Sequence, residues 1–202
     1  MSEVWLTSDE HYFHDNSRGG VIAMCDRPFK DLDEMAETFI KNHNNRVSKG
    51  DRTYHLGDFS FGNKEETQEI LSQLNGQHYL CKGNHDPKWI DELDWVWCRQ
   101  KSGLKVDKKN YIHLDHYPHM SWNRSYHGSY HFFGHVHSKG DYWACQNSCD
   151  VGVDYWNYKP VELTQLIDRL KQISEMAFDH DHFNHFFWRG KNDDIQFFGF
   201  PS

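Results

Sequence analysis

Aspartate, asparagine and histidine recur in this chain directly after short apolar segments, and these residue types can bind metal ions. The donors that follow such segments are Asp9, His11, Asp58, Asn84, His116, His135 and His137. They offer carboxylate and amide oxygens and imidazole nitrogens but no thiolate, a mixture that suits Mn, Fe, Zn, Co or Ni better than Ca. The set is larger than one tetrahedral ion can take, so it indicates two ions that share a bridging carboxylate.

The spacing of the donors suggests how they face a metal ion. Asp9 and His11 are separated by one residue, and because side chains alternate along an extended segment, both are expected to point the same way. His135 and His137 repeat that spacing. The same alternation turns the side chain of Asp115 away from the side on which the neighbouring donor His116 lies, so Asp115 is not included in the predicted site.

Several short segments rich in β-branched and aromatic residues are bounded by polar residues or glycine, as is typical of β-strands. They are residues 4–8, 53–57, 78–82, 111–115, 129–134 and 149–153, and residues 95–100 are a further candidate. Helices are expected over 31–47, over 65–74 and after Pro160, where apolar residues recur at helical spacing. This alternation predicts an α/β fold with a central mixed layer. Ligand sites in open α/β sheets lie beyond the carboxyl ends of the strands, so the donors can converge there.

Composition limits the classes of function. The net charge is −8 with histidine neutral, which argues against a long basic surface for duplex nucleic acid. No apolar run approaches the ~18 residues of a membrane span, and the N-terminal residues lack the pattern of a secretory signal. The 5 cysteines are scattered, which is typical of reduced thiols. We therefore expect a cytoplasmic protein without a membrane partner.

The blocks D-x-H, GD, GNHD, a single His and GHxH stand in this order at the segment ends and resemble the motifs of the calcineurin-like metallophosphoesterases. The resemblance runs from Val4 to about Leu170, and stretches such as YHLGDFSFG and HYPHMSWN are similar to a compact, single-domain bacterial and phage-type branch. It implies a four-layer α/β sandwich with two mixed β-sheets flanked by helices. It also implies a metallophosphoesterase domain over residues 1–177, followed by a His- and aromatic-rich C-terminal extension over 178–202.

The resemblance assigns the donors to two divalent ions, with Mn as the first choice and Fe, Zn, Ni or Co as alternatives. The sets it implies are Asp9, His11 and His137 for one ion, Asn84, His116 and His135 for the other, and Asp58 as the bridge. The chain departs from the family at residues 59–61, where Phe-Ser-Phe stands in place of a frequent Asp or Arg. That block therefore supplies no charged group for a substrate.

A centre of this kind can hydrolyse phosphate esters without a protein nucleophile. Two ions about 3.5–4 Å apart lower the pKa of a shared water toward neutrality, so the expected nucleophile is a metal-bridging hydroxide that attacks phosphorus in line. His85 directly follows Asn84 and is predicted to protonate the leaving oxygen. Asp86 is predicted to orient His85 by a hydrogen bond. The structural alternative for His85 is a solvated histidine in a polar turn.

Further residues are candidates for substrate binding, each with a structural alternative. His14 could contact phosphate or flank the first turn. Arg27 offers a positive charge for phosphate, although arginine before proline in a loop is usually a solvated surface residue. Trp122 and Asn123 could stack on a base or ring, and a tryptophan in the core fits the pattern equally well.

The sequence leaves more than one function open. The first is hydrolysis of phosphate esters, with diesters favoured; the acidic charge of the chain points to small or single-nucleotide-like substrates and not to duplex nucleic acid. The second is a nuclease of the same fold, which would need a basic strip near the site. The only candidate cluster in the sequence is Lys105, Lys108 and Lys109, and the negative charge of Asp107 reduces its positive charge. The third is a catalytically silent metal-binding module, which would be expected to show a broken donor set. A second copy of the chain is a further expected partner, through the C-terminal extension.

Overall fold

The computed structural model describes residues 2–15, 19–106, 111–137, 147–178, 187–189 and 196–198. The strands are β1 (Val4–Thr7), β2 (Arg52–His55), β3 (Gln77–Cys81), β4 (Trp97–Arg99), β5 (Lys101–Lys105), β6 (Tyr111–Asp115), β7 (Tyr130–Phe133), β8 (Ser148–Asp150), β9 (Val161–Glu162), β10 (Phe187–Arg189) and β11 (Gln196–Phe198). The helices are α1 (Gly20–Cys25), α2 (Leu32–Arg46), α3 (Lys64–Gln73) and α4 (Leu163–Phe178), and short 3₁₀ helices cover Lys88–Glu92 and Ser125–His127.

Two sheets carry the fold, and each contains both parallel and antiparallel pairs. The first has the strand order β4-β3-β2-β1-β9, in which β1 to β4 are parallel and β9 runs antiparallel to β1. The second has the order β5-β6-β7-β8, in which β5 is antiparallel to β6 and the remaining pairs are parallel. The predicted α/β sandwich of two mixed sheets flanked by helices is confirmed.

One hydrophobic core joins the two sheets and α4. Leu6, Leu56, Ile112, Leu114 and Phe132, which come from both sheets or the turns beside them, are fully buried in it at 0% exposure. Burial of side chains of this size contributes about 1.5–3 kcal/mol each. This core fixes the two sheets against each other and so sets the positions of the loops at their strand ends.

A second core packs α2 and α3 onto the first sheet. Met35 and Phe39 of α2 meet Ile70 and Leu71 of α3 and the fully buried Leu80 of β3. These residues follow the helical spacing of apolar side chains that predicted both helices. The sheet is therefore covered on a face separate from the one that meets the second sheet.

The helix ends show why α2 and α3 were predicted to within one residue and α1 was not. Asp31 accepts a hydrogen bond from the backbone of Glu34 at 2.8 Å at the start of α2, and Asn63 and Glu66 form a capping box at the start of α3. By contrast, α1 follows Gly19 and has no side-chain cap. The strands β5 and β9 were also not predicted.

The C-terminal part of the chain is described only in pieces. Helix α4 continues to Phe178, past the domain boundary predicted at 177, and β10 pairs antiparallel with β11. The remaining residues of the predicted 178–202 extension lie outside the described residues. No helix in the described part of the chain combines the length and apolar character that a membrane crossing requires.

Candidate metal centre

The loops that follow β1, β2 and β7 are joined by hydrogen bonds. The backbone N–H of Asp9 donates to the carbonyl of Gly57, and that of His11 donates to the carbonyl of Asp58, both at 3.0 Å. The carboxylate of Asp9 in turn accepts a hydrogen bond from the backbone N–H of His135 at 2.9 Å. Because β7 belongs to the second sheet, this last bond links the two sheets at the site where the donors meet.

Several donors have a left-handed backbone, which is uncommon for residues other than glycine. The φ angles are 59° at Asp9, 54° at His11, 56° at Asp58, 72° at His135 and 46° at His137. These values correct the expectation that each Asp-x-His or His-x-His pair is presented by an extended segment, because β1 and β7 end before the donors begin. Strained backbone of this kind clusters at functional sites, where the surrounding structure holds it in place.

The first group of donors consists of Asp9, His11 and His137, whose ligand atoms lie close enough to hold one metal ion. Asp9 Oδ1 is 3.9 Å from His11 Nε2 and 3.8 Å from His137 Nε2. Asp9 Oδ1 and His11 Nε2 are buried and have no hydrogen-bond partner among the described residues. Buried polar atoms are normally satisfied, so these two unpaired atoms fit a bound cation.

The second group consists of Asp58, His116 and His135, and Asn84 extends it. Around His116 Nε2, Asn84 Oδ1 lies at 3.0 Å, His135 Nδ1 at 3.2 Å and Asp58 Oδ2 at 3.5 Å. The four donors thus surround a small space beside the first group. Their mixture of imidazole, carboxylate and amide suits a divalent transition ion.

Asp58 lies between the two groups. Its Oδ2 atom is 3.5 Å from His11 Nε2 of the first group and 3.5 Å from His116 Nε2 of the second, while its Oδ1 accepts the backbone N–H of His85 at 2.8 Å. Burial raises the pKa of the Asp58 carboxyl, but the close approach of the His11 and His116 rings and the backbone N–H of His85 outweigh burial and bring the pKa to about 2. The side chain is therefore a carboxylate, and its position fits a bridge between two ions.

Two of the histidines are oriented by contacts at Nδ1, the ring nitrogen that points away from the donor groups. His116 Nδ1 lies 2.7 Å from the carbonyl of Leu56, which can only accept, so Nδ1 carries a proton and Nε2 is left facing the second group of donors. His137 Nδ1 lies 2.7 Å from Asp154 Oδ2, which leaves Nε2 facing Asp9. A carboxylate behind a ligating histidine is a common arrangement at metal sites because it fixes the ring and raises its basicity.

Arg27 has a structural role that differs from the predicted phosphate contact. Its Nε and Nη2 donate to the two carboxylate oxygens of Asp154 at 2.8 and 2.9 Å, and Nη1 and Nη2 donate to the carbonyls of Glu10 and Asp9 at 2.9 and 2.7 Å. The remaining Nη1 donor faces Met35 Sδ at 3.4 Å. With every guanidinium N–H engaged and the residue buried, the predicted contact with substrate is wrong.

Asp86 also differs from its predicted role, whereas His85 is placed at the edge of the centre. The carboxylate of Asp86 accepts the backbone N–H groups of Asp58, Phe59 and Gly83 at 3.0, 2.9 and 2.7 Å. It therefore holds the turn that carries Asp58, which corrects the prediction that Asp86 orients His85. Burial raises the pKa of Asp86 to about 6 despite these bonds. The exposed ring of His85 lies 5.8 Å, between centroids, from that of His11.

An aromatic surface borders the first group of donors. His14 Nδ1 lies 3.0 Å from His11 Nδ1, and the ring of His14 stacks on Phe61 with centroids 3.9 Å apart. Phe61 is 37% exposed and also lies 5.1 Å from the ring of His85. Burial lowers the pKa of His14 to about 4, so this ring is neutral at pH 7. Phe61 and His14 thus form a flat, uncharged wall next to the donors.

Trp122 and Asn123 lie in the loop between β6 and β7. The indole N–H of Trp122 donates to Ser129 Oγ at 3.0 Å, and the ring lies 5.2 Å from that of His131. The carbonyl of Asn123 accepts the Ser129 hydroxyl at 2.7 Å. These contacts account for the half-buried Trp122 by packing, and a contact of either residue with substrate stays a prediction.

No known family profile matches the chain. The uncharacterized protein MJ1445 of Methanocaldococcus jannaschii is 31% identical over 178 residues, which cover 85% of this chain and 93% of MJ1445. The chain belongs to the same family as MJ1445. The crystal structure of AQ665 from Aquifex aeolicus, a protein of unknown function, shares the fold with a TM-score of 0.65 at 23% identity, over 84% of this chain and all of AQ665. A phosphoesterase from E. coli, YfcE, reaches a TM-score of only 0.38 at 12% identity, over 74% of this chain and 78% of YfcE.

For this member of the MJ1445 family, sequence reasoning missed Asp154 and Phe61. Asp154 comes shortly after β8 at the same edge of the sheet as the donors, so its position after a strand was an available signal. At the sequence level, residue 61 stood out only because residues 59–61 lack a charged side chain. Its stacking with His14 depends on how the turn after Asp58 folds back, which the residue types do not reveal.

Proposed function

We propose that the chain is a dinuclear-metal phosphoesterase that hydrolyses phosphate esters, with diesters of small nucleotide-like substrates preferred. The observation that carries this proposal is the position of Asp58 Oδ2, 3.5 Å from an imidazole nitrogen of each donor group. A carboxylate shared between two donor groups can bridge two ions at the spacing of about 3.5–4 Å that two-metal hydrolysis uses. The unpaired buried atoms Asp9 Oδ1 and His11 Nε2 support it.

The protein residues position the ions and the substrate. When bound, two divalent ions would supply Lewis acidity toward a phosphoryl group and lower the pKa of a water molecule. Mn is the ion we propose first, because the donors mix oxygen and imidazole nitrogen and include no thiolate. Asp154 and Leu56 hold the rings of His137 and His116 from behind, so their Nε2 atoms remain directed into the centre.

His85 is proposed to protonate the leaving oxygen. Its ring is exposed at the edge of the centre, and its backbone N–H is tied to Asp58, so the ring stays close to the donors without belonging to either group. A positioned acid of this kind contributes about 10²–10⁴-fold to a rate. Its importance should grow as the leaving oxygen becomes more basic and needs the proton more.

The preference for an aromatic or nucleotide-like substrate rests on Phe61 and His14. Their stacked rings form an uncharged wall beside the first donor group, where a flat group can stack on the exposed part of Phe61. Because Arg27 is buried and fully hydrogen-bonded, it adds no charge for a second phosphate. A small diester with one flat group therefore fits better than a polyphosphate.

The proposal is tested with purified protein stripped by EDTA and then supplied with Mn²⁺. Hydrolysis of bis(p-nitrophenyl) phosphate is compared with that of p-nitrophenyl phosphate for the wild type, Asp58→Asn and Asp168→Asn. Asp168 is an exposed carboxylate on α4, so its variant is the matched control. We expect Mn²⁺-dependent diester hydrolysis that Asp58→Asn abolishes and Asp168→Asn retains. Equal activity of all three proteins, or none in the wild type with any divalent transition ion, would refute the proposal.

A further inference from the structure

A second cluster of metal-binding side chains lies on the outer face of the second sheet, apart from the donors described above. His113 and Asp115 are two residues apart on β6 and so share a face, opposite to the buried Ile112 and Leu114. The loop that follows β6 returns over this face and brings His119 to the same place. The ligand atoms of His113, Asp115 and His119 all lie within 4.8 Å of one another.

The geometry directs these atoms toward a common point. Asp115 Oδ2 is 3.1 Å from His119 Nε2 and 3.9 Å from His113 Nε2. His119 Nε2 is buried, although the side chain is 37% exposed; its approach to Asp115 Oδ2 lacks the geometry of a hydrogen bond, and it makes no hydrogen bond to any other described residue. A buried ring nitrogen with no hydrogen bond is costly, and a cation placed between the three side chains would satisfy it.

Neighbouring groups hold the cluster in place. Asp115 Oδ1 accepts the backbone N–H of Tyr117 at 3.2 Å, which leaves Oδ2 to face the histidines. The backbone N–H of His119 donates to His131 Nε2 at 3.2 Å, and His131 Nδ1 lies 3.2 Å from the carbonyl of His113. His131 therefore binds backbone groups of the two histidine ligands. It supports the cluster and is not counted as a ligand.

We propose that His113, Asp115 and His119 bind a single divalent transition ion, of the Zn²⁺ or Co²⁺ type, separate from the dinuclear centre. Two imidazoles and one carboxylate form a three-ligand set of the kind that leaves a further coordination position for water. The ion would connect β6 to the loop that follows it and so hold that loop on the sheet. Asp115, left out of the main site because it faces the other way from His116, would act here.

The test counts bound ions in the whole protein. EDTA-stripped wild type, His119→Ala and His127→Ala are loaded with excess Co²⁺ and desalted, and the metal is measured by mass spectrometry. His127 is an exposed histidine of the same loop and serves as the control. We expect His119→Ala to bind one ion fewer per chain than the wild type, and His127→Ala to bind the same number.

The difference in ion count between variants can be read whether or not the dinuclear centre binds ions. Failure of the proposed His113–Asp115–His119 site can therefore be distinguished from failure of the proposed function. A second variant, His113→Gln, is measured in parallel, and circular dichroism establishes that each protein is folded. The visible Co²⁺ absorption should lose the same component in His119→Ala and His113→Gln. Unchanged ion counts and spectra in both folded variants would overturn the proposal.

Discussion

Asp9 and His135 are 126 residues apart in the chain, yet the carboxylate of Asp9 accepts the backbone N–H of His135 at 2.9 Å. One oxygen of Asp9 thus ties the loop after β1 to the loop after β7, which belongs to the other sheet. The other oxygen, Oδ1, is buried, has no hydrogen-bond partner among the described residues and lies 3.8 Å from His137 Nε2. A single side chain therefore joins the two sheets and offers a ligand atom to the first donor group.

Asp9→Asn should separate these two functions of Asp9. The amide oxygen can still accept the N–H of His135, while the variant removes a buried negative charge whose Oδ1 has no hydrogen-bond partner among the described residues. In EDTA we expect its melting temperature to equal or exceed that of the wild type. With Mn²⁺ at 100 times its Kd the wild type should gain about 2.7 kcal/mol, and the variant should gain much less.

Thermal unfolding of Asp9→Asn, wild type and Asp168→Asn, with EDTA and with Mn²⁺, checks this expectation. Asp168→Asn is the control, because Asp168 is exposed and its carboxylate lies 3.4 Å from Lys171 Nζ, away from both donor groups. The interpretation of Asp9 as a ligand is contradicted if Mn²⁺ stabilises Asp9→Asn as strongly as it stabilises the control.

His85→Ala should slow hydrolysis in a way that depends on the leaving group. Since the ring is proposed to protonate the leaving oxygen, a diester with an alkyl leaving group should lose about 10²–10⁴-fold in kcat. A diester that releases p-nitrophenolate, which needs little protonation, should lose far less. Steady-state kinetics with both substrates measures the difference, and His127→Ala serves as the exposed-histidine control. Equal losses on both substrates would argue for a role in binding instead of proton transfer.

The donors could be predicted from the sequence because their positions follow from local rules. Polar residues directly after apolar segments lie at strand ends, and strand ends meet at one edge of a sheet. Asp58 and His116 were found in this way. The helices α2 and α3 were predicted because apolar residues recur along them at helical spacing, and the structure shows that Asp31 and Asn63 cap them within their own first turns.

The roles of Arg27 and Asp86 could not be predicted, because most of their partners are distant in the sequence. Arg27 is buried against Asp154, 127 residues away, and Asp86 binds backbone groups of Asp58, 28 residues away. Residue type alone suggested a phosphate contact for Arg27 and a histidine partner for Asp86. The strand β5 was missed for another reason, since its Lys and Gly residues have low strand propensity and it forms by pairing with β6.

Gly83→Ala should displace the Asp58 carboxylate without replacing any of the proposed ligands. A Cβ atom at Gly83 would overlap Asp58 Oδ1, and the backbone N–H of Asp58 lies close to the same point. Overpacking at such a site costs about 1–3 kcal/mol, and moving Asp58 should weaken metal binding and lower activity. Gly50→Ala is the matched control, because nothing lies within 4 Å of a Cβ there. Metal content, melting temperature and diester hydrolysis of both variants provide the comparison. Full metal content and activity in Gly83→Ala would contradict the tight approach of Gly83 to Asp58.

The stability of the metal-free protein should fall as the pH drops below neutrality, because burial keeps several histidines uncharged. Burial lowers the pKa of His43, His55 and His78 from 6.5 to about 3 each. Between pH 6.5 and about 3 the unfolded chain binds protons that the folded chain does not, so the free energy of unfolding decreases with falling pH. Each such histidine contributes a slope of about 1.4 kcal/mol per pH unit within that window and none above it.

His43→Gln isolates one of these contributions. The glutamine amide can donate to the carbonyl of Asn75, which His43 Nε2 contacts at 2.9 Å, and it does not titrate. Urea unfolding in EDTA at pH 7, 6, 5 and 4 should therefore show a shallower loss of stability for this variant, by about 1.4 kcal/mol per pH unit. His127→Gln, at an exposed position, should keep the wild-type slope. The same slope in all three proteins would mean that His43 takes up its proton as readily in the folded chain as in the unfolded one.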